Sequence, residues 1–136
     1  MHARPFRVVT VLAFVVLTAM AATAFAQFGH PLKGTWIGDW GPNKDAQTHV
    51  VIELHWDGKA FTGTINPGAS GVPIKNATLD APTWAVHFEA DGKDRAGNAV
   101  RYVIDGKLDN IGAFARFITG TWTQGSVKGA FKITRT

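Results

Sequence analysis

The chain has 136 residues, a formal net charge of +4 and no cysteine. This length suits one domain, and the missing thiols exclude both a disulfide framework and thiolate metal ligands. Because Arg4 and Arg7 lie in a segment that we expect to be removed, subtracting these two cations from +4 leaves +2. A charge that small does not indicate a nucleic-acid partner.

The first 26 residues have the pattern of a secretory signal peptide. A short basic start precedes an almost wholly apolar run over 8–20, and Ala24-Phe25-Ala26 offers small residues where a signal peptidase cuts. The run is about 13 residues, too short to span a bilayer as a helix. We predict a signal-peptide helix over 1–26, cleavage between Ala26 and Gln27, and a periplasmic or secreted product without stable membrane insertion. A retained N-terminal anchor is the alternative.

A lead-in segment over 27–33 and a first strand at about 34–40 follow. In that strand, Gly34-Thr35-Trp36-Ile37-Gly38-Asp39-Trp40, successive side chains alternate between faces, so Trp36 and Trp40 point the same way. Two indoles on one face need a deep apolar space to fill. We therefore expect the later strands to close around this one.

The segment from His49 to Trp56 is the clearest strand. Its apolar and polar residues alternate with a strict period of two, and Asp57-Gly58 then provides a tight hairpin turn. The chain returns as a strand over 60–66. This pattern predicts a hairpin.

Five further strands are predicted at about 72–79, 83–90, 99–108, 113–122 and 127–135. Pro73 in the first of them favours an edge, a strand start or a bulge, and Gly106 favours a bulge or a close approach by a neighbouring backbone. Eight short strands, regular turn signals and no helical periodicity after the signal peptide predict an all-β domain over 34–136. Short connections favour a single eight-stranded antiparallel up-and-down β-barrel.

This arrangement resembles the calycin superfamily, which comprises lipocalins, fatty-acid-binding proteins and avidins. The resemblance rests on Gly34-Thr35-Trp36 in the first strand, the meander of about eight strands, and Arg135 near the end of the last strand. It implies structural roles: Trp36 packs under the barrel floor and Arg135 lies across it. The polar biotin-binding set of the avidins is missing, so biotin is not implied. The chain is also similar to small secreted bacterial proteins of unassigned function.

Large aromatic residues dominate the faces assigned to the interior. They predict an aromatic-lined cavity for a small apolar or amphipathic ligand, with these candidate binding residues: Trp40, Trp56, Trp84, Phe88 and Tyr102. The first hypothesis is therefore an exported, soluble barrel that binds such a ligand. The alternative is a structural or interaction protein of the cell envelope whose barrel is filled by its own side chains, as eight strands permit. The oligomeric state stays open.

Metal-type side chains are predicted on the outer face, on two strands that a meander does not place side by side: His49, Glu53, His55, His87 and Glu89. We predict no metal site, no cofactor and no catalytic residue. Asp39 and Asp105 are the carboxylates nearest the expected barrel ends, and nothing in the sequence fixes their separation. Arg101, Arg116 and Arg135 offer a possible anion clamp if they face inward, although a structural role is favoured for Arg135. The charged second face disfavours an outer-membrane barrel.

Overall fold

A computed structural model describes residues 29–136, so the predicted signal peptide lies outside the described residues. The chain divides into a unit of residues 1–30 and a unit of residues 31–136. The second unit contains eight strands, β1 Gly34–Gly41, β2 Thr48–Trp56, β3 Phe61–Ile65, β4 Val72–Asp80, β5 Ala85–Lys93, β6 Ala99–Asp109, β7 Phe117–Gln124 and β8 Val127–Arg135. Between residues 29 and 136 there is no helix of the length and apolarity that a membrane crossing needs.

The eight strands form a closed antiparallel barrel in sequence order. Each strand pairs with the next, and β8 pairs with β1 to complete the ring. Trp36 is the register partner of both Ile52 and Arg135. The all-β up-and-down barrel predicted from the sequence is thus confirmed. We use "lower end" for the end where β1 begins and β8 finishes, and "upper end" for the opposite one.

Strand β2 shows why the sequence folds this way. Val50, Ile52 and Leu54 are buried, whereas the residues between them are exposed or half-buried. Fully burying one such aliphatic side chain contributes about 1.5–3 kcal/mol relative to leaving it in water. Slipping the register by one residue would reverse the faces and forfeit that burial, so the alternation fixes the pairing.

Glycines stand where neighbouring backbones approach most closely. Gly106 and Gly120 are register partners. A Cβ atom on Gly120 would lie 2.0 Å from the carbonyl oxygen of Asp105, and one on Gly38 would lie 1.9 Å from that of Lys132. A small barrel needs such positions because its strands must bend sharply to close. The close backbone approach predicted at Gly106 is confirmed.

The seam between β3 and β4 is the shortest in the barrel. These strands pair only through Thr64–Pro73 and Ile65–Val72, and the register of β4 against β5 then shifts between Ile74 and Asn76. Pro73 has no N–H to donate to a ladder, which suits the end of a short pairing. Of the edge, strand start or bulge that Pro73 favoured, the structure shows a strand start, and the register irregularity follows it between Ile74 and Asn76. Below it, towards the lower end, the described residues provide no ladder between the two strands.

Two predicted strands begin too early. Trp84 precedes β5, in a turn with a φ of +58°. Its N–H donates to the carbonyl of Asp80 at 2.7 Å, and its own carbonyl accepts from the N–H of Leu108 at 2.9 Å. Trp84 therefore does not continue the inward row of Val86 and Phe88 as a strand residue, although its half-buried side chain packs against the core. Likewise, β7 starts at Phe117 rather than near residue 113.

Candidate functional site

Four aromatic side chains pack together inside the upper half of the barrel. The Trp40 and Trp122 rings are stacked, with centroids 5.4 Å apart. Tyr102 and Phe131 meet the Trp122 ring edge-on at 6.4 and 6.0 Å. All four are buried, and burial raises the pKa of the Tyr102 phenol. We name these residues the aromatic cluster; they fill this part of the interior with side chains, as a narrow eight-stranded barrel allows.

The segment that leads into β1 packs against the lower end of the barrel. Trp36 is fully buried, and its indole Nε1 donates to the Leu32 carbonyl at 2.8 Å. Arg116 holds the same segment: its guanidinium donates to the carbonyls of Pro31 at 2.9 Å and Ile111 at 3.1 Å. Burial lowers the pKa of Arg116, and the nearby charge of Arg135 lowers it further. Arg116, which the sequence offered only as a possible anion clamp, thus binds backbone carbonyls.

Arg135 lies beside this floor. Its backbone is paired with Trp36, and its guanidinium carbon lies 5.4 Å from the ring centroid of Phe114. The side chain also passes Gly34, where an added Cβ would meet its Cδ at 3.3 Å. Phe114 is 74% exposed. The described cation–π contact of Arg135 is therefore with a loop phenylalanine, while its role across Trp36 stays a prediction.

A groove of about 440 Å³ opens at the incompletely paired seam, between the β2–β3 hairpin and the lower half of β4. On one bank the rings of Trp56 and Phe61 pack at 4.8 Å. On the other bank Ala77 and Leu79 are half-buried against the core. We name this feature the β3–β4 groove, and its lining residues are Trp56, Lys59, Ala60, Phe61, Lys75, Asn76, Ala77, Thr78 and Leu79.

Side chains of β2 and β4 meet next to Gly63 of β3. Gly63 has no side chain, and an added Cβ there would lie 2.7 Å from Leu54 Cδ2 and 3.2 Å from Ile74 Cδ1. Ile74, on β4, thus reaches across the seam to β3. The β3–β4 groove is thus a cleft at the seam with an aromatic wall.

The structure places the five predicted ligand-binding residues in three different parts of the barrel. Trp40 and Tyr102 belong to the aromatic cluster, and Phe88 is 0% exposed within the core. Trp84 lies in a turn, and Trp56 lines the β3–β4 groove. Of the five, therefore, the groove contains only Trp56.

Four residues of the cluster and the groove were not predicted from the sequence as site residues: Trp122, Lys59, Phe61 and Leu79. Trp122 shares the alternating row of Ile118, which was a usable signal for an inward position. The signal for the groove residues was weaker. It consisted of Pro73 on β4, which pairs with β3, a strand of only five residues.

A row of ion pairs crosses the outer face of β4, β5 and β6. The Nζ of Lys75 lies 2.7 Å from Asp91 Oδ2, and Arg101 contacts Glu89 at 3.1 Å and Asp91 at 3.6 Å. Glu89 also accepts from the Asn76 amide at 3.3 Å. Among residues 29–136, no group of three His, Asp or Glu side chains is placed to hold a metal ion. Exposed pairs of this kind contribute little each, about 0–1 kcal/mol.

His87 contacts two carboxylates, one through each nitrogen of its ring. Its Nδ1 lies 2.5 Å from Asp105 Oδ1 and its Nε2 lies 3.2 Å from Glu89 Oε1. A neutral imidazole donates from one nitrogen only, so both contacts are satisfied in the protonated form. The hydrogen bond with Asp105, followed by that with Glu89, outweighs partial burial and raises the pKa of His87.

This raised pKa predicts a pH-dependent stability. The contribution of His87 is complete below the unfolded imidazole pKa of about 6.5 and is lost as the pH rises through the higher folded value, where the native state releases its extra proton. Urea unfolding of the protein and of H87Q, measured across that range, checks this. We expect the free energy of unfolding to fall with rising pH more steeply in the protein than in the variant. Parallel curves would contradict the assignment.

The closed eight-stranded antiparallel barrel is compatible with the calycin-like fold that the sequence resembles. No family model, curated protein or solved structure matches this chain.

Proposed function

We propose that this protein is an exported β-barrel that binds a small apolar or amphipathic ligand in the β3–β4 groove. The observation that carries the proposal is the aromatic wall of Trp56 and Phe61 at a seam where the strand pairing ends. Export is supported by the signal-peptide pattern over residues 1–26. We propose binding rather than catalysis because the sequence contains no catalytic motif.

The groove suits such a ligand better than the barrel interior does. The rings of the aromatic cluster pack on one another and are buried, so a ligand there would have to displace them. In the groove, half-buried apolar side chains from both banks already face a cleft of sufficient size. Because the groove is open to solvent and polar residues share its lining, a ligand there covers little apolar surface and binds with modest affinity.

A filled barrel without a ligand is the second candidate, as a structural or interaction protein of the cell envelope. The aromatic cluster favours it, because Trp122 and its neighbours occupy the upper interior with side chains. In this case the groove is a surface irregularity, and apolar molecules bind it only weakly and without saturation.

Titration with the uncharged fluorescent probe N-phenyl-1-naphthylamine distinguishes the two candidates. We expect one saturable site in the protein and at least a tenfold loss of affinity, about 1.4 kcal/mol, in A77F, whose added ring occupies the groove. The matched control is A85F, which adds the same ring at an exposed position on β5 outside the groove. Near-ultraviolet circular dichroism checks that both variants fold. Equal binding by A77F and A85F, or no saturable binding by the protein, would overturn the proposal.

A further inference from the structure

The charged residues that line the β3–β4 groove are all positive. Its lining includes two lysines, Lys59 and Lys75, and no acidic residue. The other lining residues are apolar or carry uncharged polar groups. A ligand that covers the aromatic wall thus meets positive charge at the rim and no carboxylate.

The two lysines differ in their partners. Lys75 lies on β4, and its Nζ contacts Asp91 Oδ2 at 2.7 Å; this hydrogen bond is the main reason why the pKa of Asp91 is lowered. Its charge is therefore already balanced. Lys59 lies in the β2–β3 turn and is exposed, and within residues 29–136 its ammonium group forms no ion pair.

The neighbouring carboxylate of Asp57 accepts hydrogen bonds within the turn. One of its oxygens accepts from the backbone N–H groups of Lys59 at 2.7 Å and Ala60 at 2.8 Å. These bonds lower the pKa of Asp57, so it remains ionised and directed at the backbone. The turn thus presents the Lys59 ammonium at the groove without a carboxylate paired to it.

We infer that the β3–β4 groove selects a single-chain anionic amphiphile, with the headgroup at Lys59 and the apolar chain against Trp56, Phe61 and Leu79. This inference rests on the proposed function and names the ligand class for the same groove. An anion gains a partner at Lys59 that a neutral molecule does not, whereas a cation meets like charge. A partly exposed ion pair contributes up to about 1 kcal/mol, or about a fivefold gain in affinity.

Displacement of N-phenyl-1-naphthylamine by three twelve-carbon compounds tests this inference. The compounds are dodecanoate, dodecanol and dodecyltrimethylammonium, each below its micelle-forming concentration. We expect dodecanoate to bind about three- to fivefold more tightly than dodecanol, as one partly exposed ion pair allows, and dodecyltrimethylammonium to bind most weakly.

Substitutions of the lysines at the rim of the groove test which residue causes the preference for dodecanoate. K59Q should remove the preference for dodecanoate and leave dodecanol affinity unchanged, and K59R should restore the preference. K75Q should have a smaller effect because Asp91 already balances that charge. The matched control is K44Q, which removes an exposed lysine from the loop after β1, outside the groove.

The outcomes separate this inference from the proposed function. If dodecanol and dodecanoate bind equally and K59Q changes neither, the groove is a binding site but the anionic headgroup is wrong. If no compound displaces the dye because the dye itself does not bind, the proposed function fails. If vesicles with anionic headgroups bind in a Lys59-dependent way and monomeric dodecanoate does not, the site is a membrane contact and the inference is overturned.

Discussion

Replacing Gly120 with alanine should destabilise the barrel by at least about 3 kcal/mol, the upper range for overpacking a close-packed site. The added Cβ would lie 2.0 Å from the Asp105 carbonyl oxygen and 2.5 Å from the Gly106 Cα. Both obstacles are backbone atoms of the neighbouring strand, so no side-chain rotation relieves the clash. Relief requires β6 and β7 to move apart and to lose ladder hydrogen bonds. Urea unfolding followed by tryptophan fluorescence measures the loss.

Gly112 provides the matched control for this substitution. It lies in the loop between β6 and β7, and an added Cβ there meets no atom within 4 Å. G112A should change the free energy of unfolding by less than about 1 kcal/mol, and in the stabilising direction if the loop accepts alanine without strain. Equal effects of G120A and G112A would show that close backbone approach does not shape this barrel.

Replacing Trp122 with alanine should cost about 3–5 kcal/mol of stability, the range for truncating a large buried aromatic residue. Its ring is 1% exposed and packs on Trp40, Tyr102 and Phe131. Removing it takes away a stacked pair and two edge-on pairs and leaves a cavity at the centre of the cluster. The change in urea midpoint reports the stability, and near-ultraviolet circular dichroism reports the loss of fixed aromatic packing.

Two comparisons identify the cause of the Trp122 effect. W122F retains an aromatic ring and should recover a part of the lost stability. W56A removes the same side chain type from a half-buried position and should cost less than W122A, because less apolar surface is lost from the interior. A loss below about 0.5 kcal/mol for W122A, the level typical of surface substitutions, would contradict a packed aromatic interior.

The fold could be predicted because residues close together in the sequence determine each strand and each turn. In β2 the period-two alternation of Val50, Ile52 and Leu54 fixes both the strand and its inward face, and Asp57-Gly58 fixes the turn that follows. Once every strand is joined to the next by a short connection, the meander order follows without knowledge of side-chain packing. Closure itself depends on glycines such as Gly106, whose positions were visible in the sequence.

The site was only partly predictable because it depends on contacts between distant segments. Alternation places Trp40 inward, but it does not show that Trp122 stacks on it and fills the space that a ligand would need. Trp84 has a strand-like sequence around it, yet the hydrogen bond from its N–H to Asp80 holds it in a turn. The groove exists because β3 and β4 part below Pro73, and a single strand pattern does not reveal where its partner ends.

We propose that a ligand binds at the β3–β4 groove and not within the barrel. The indole N–H signals of the five tryptophans, assigned by single Trp-to-Phe variants, test it during titration with dodecanoate. We expect the Trp56 signal to shift in a saturable way, while the signals of Trp36, Trp40 and Trp122 stay in place. Saturable shifts confined to Trp40 and Trp122 would place the ligand in the interior and contradict the claim.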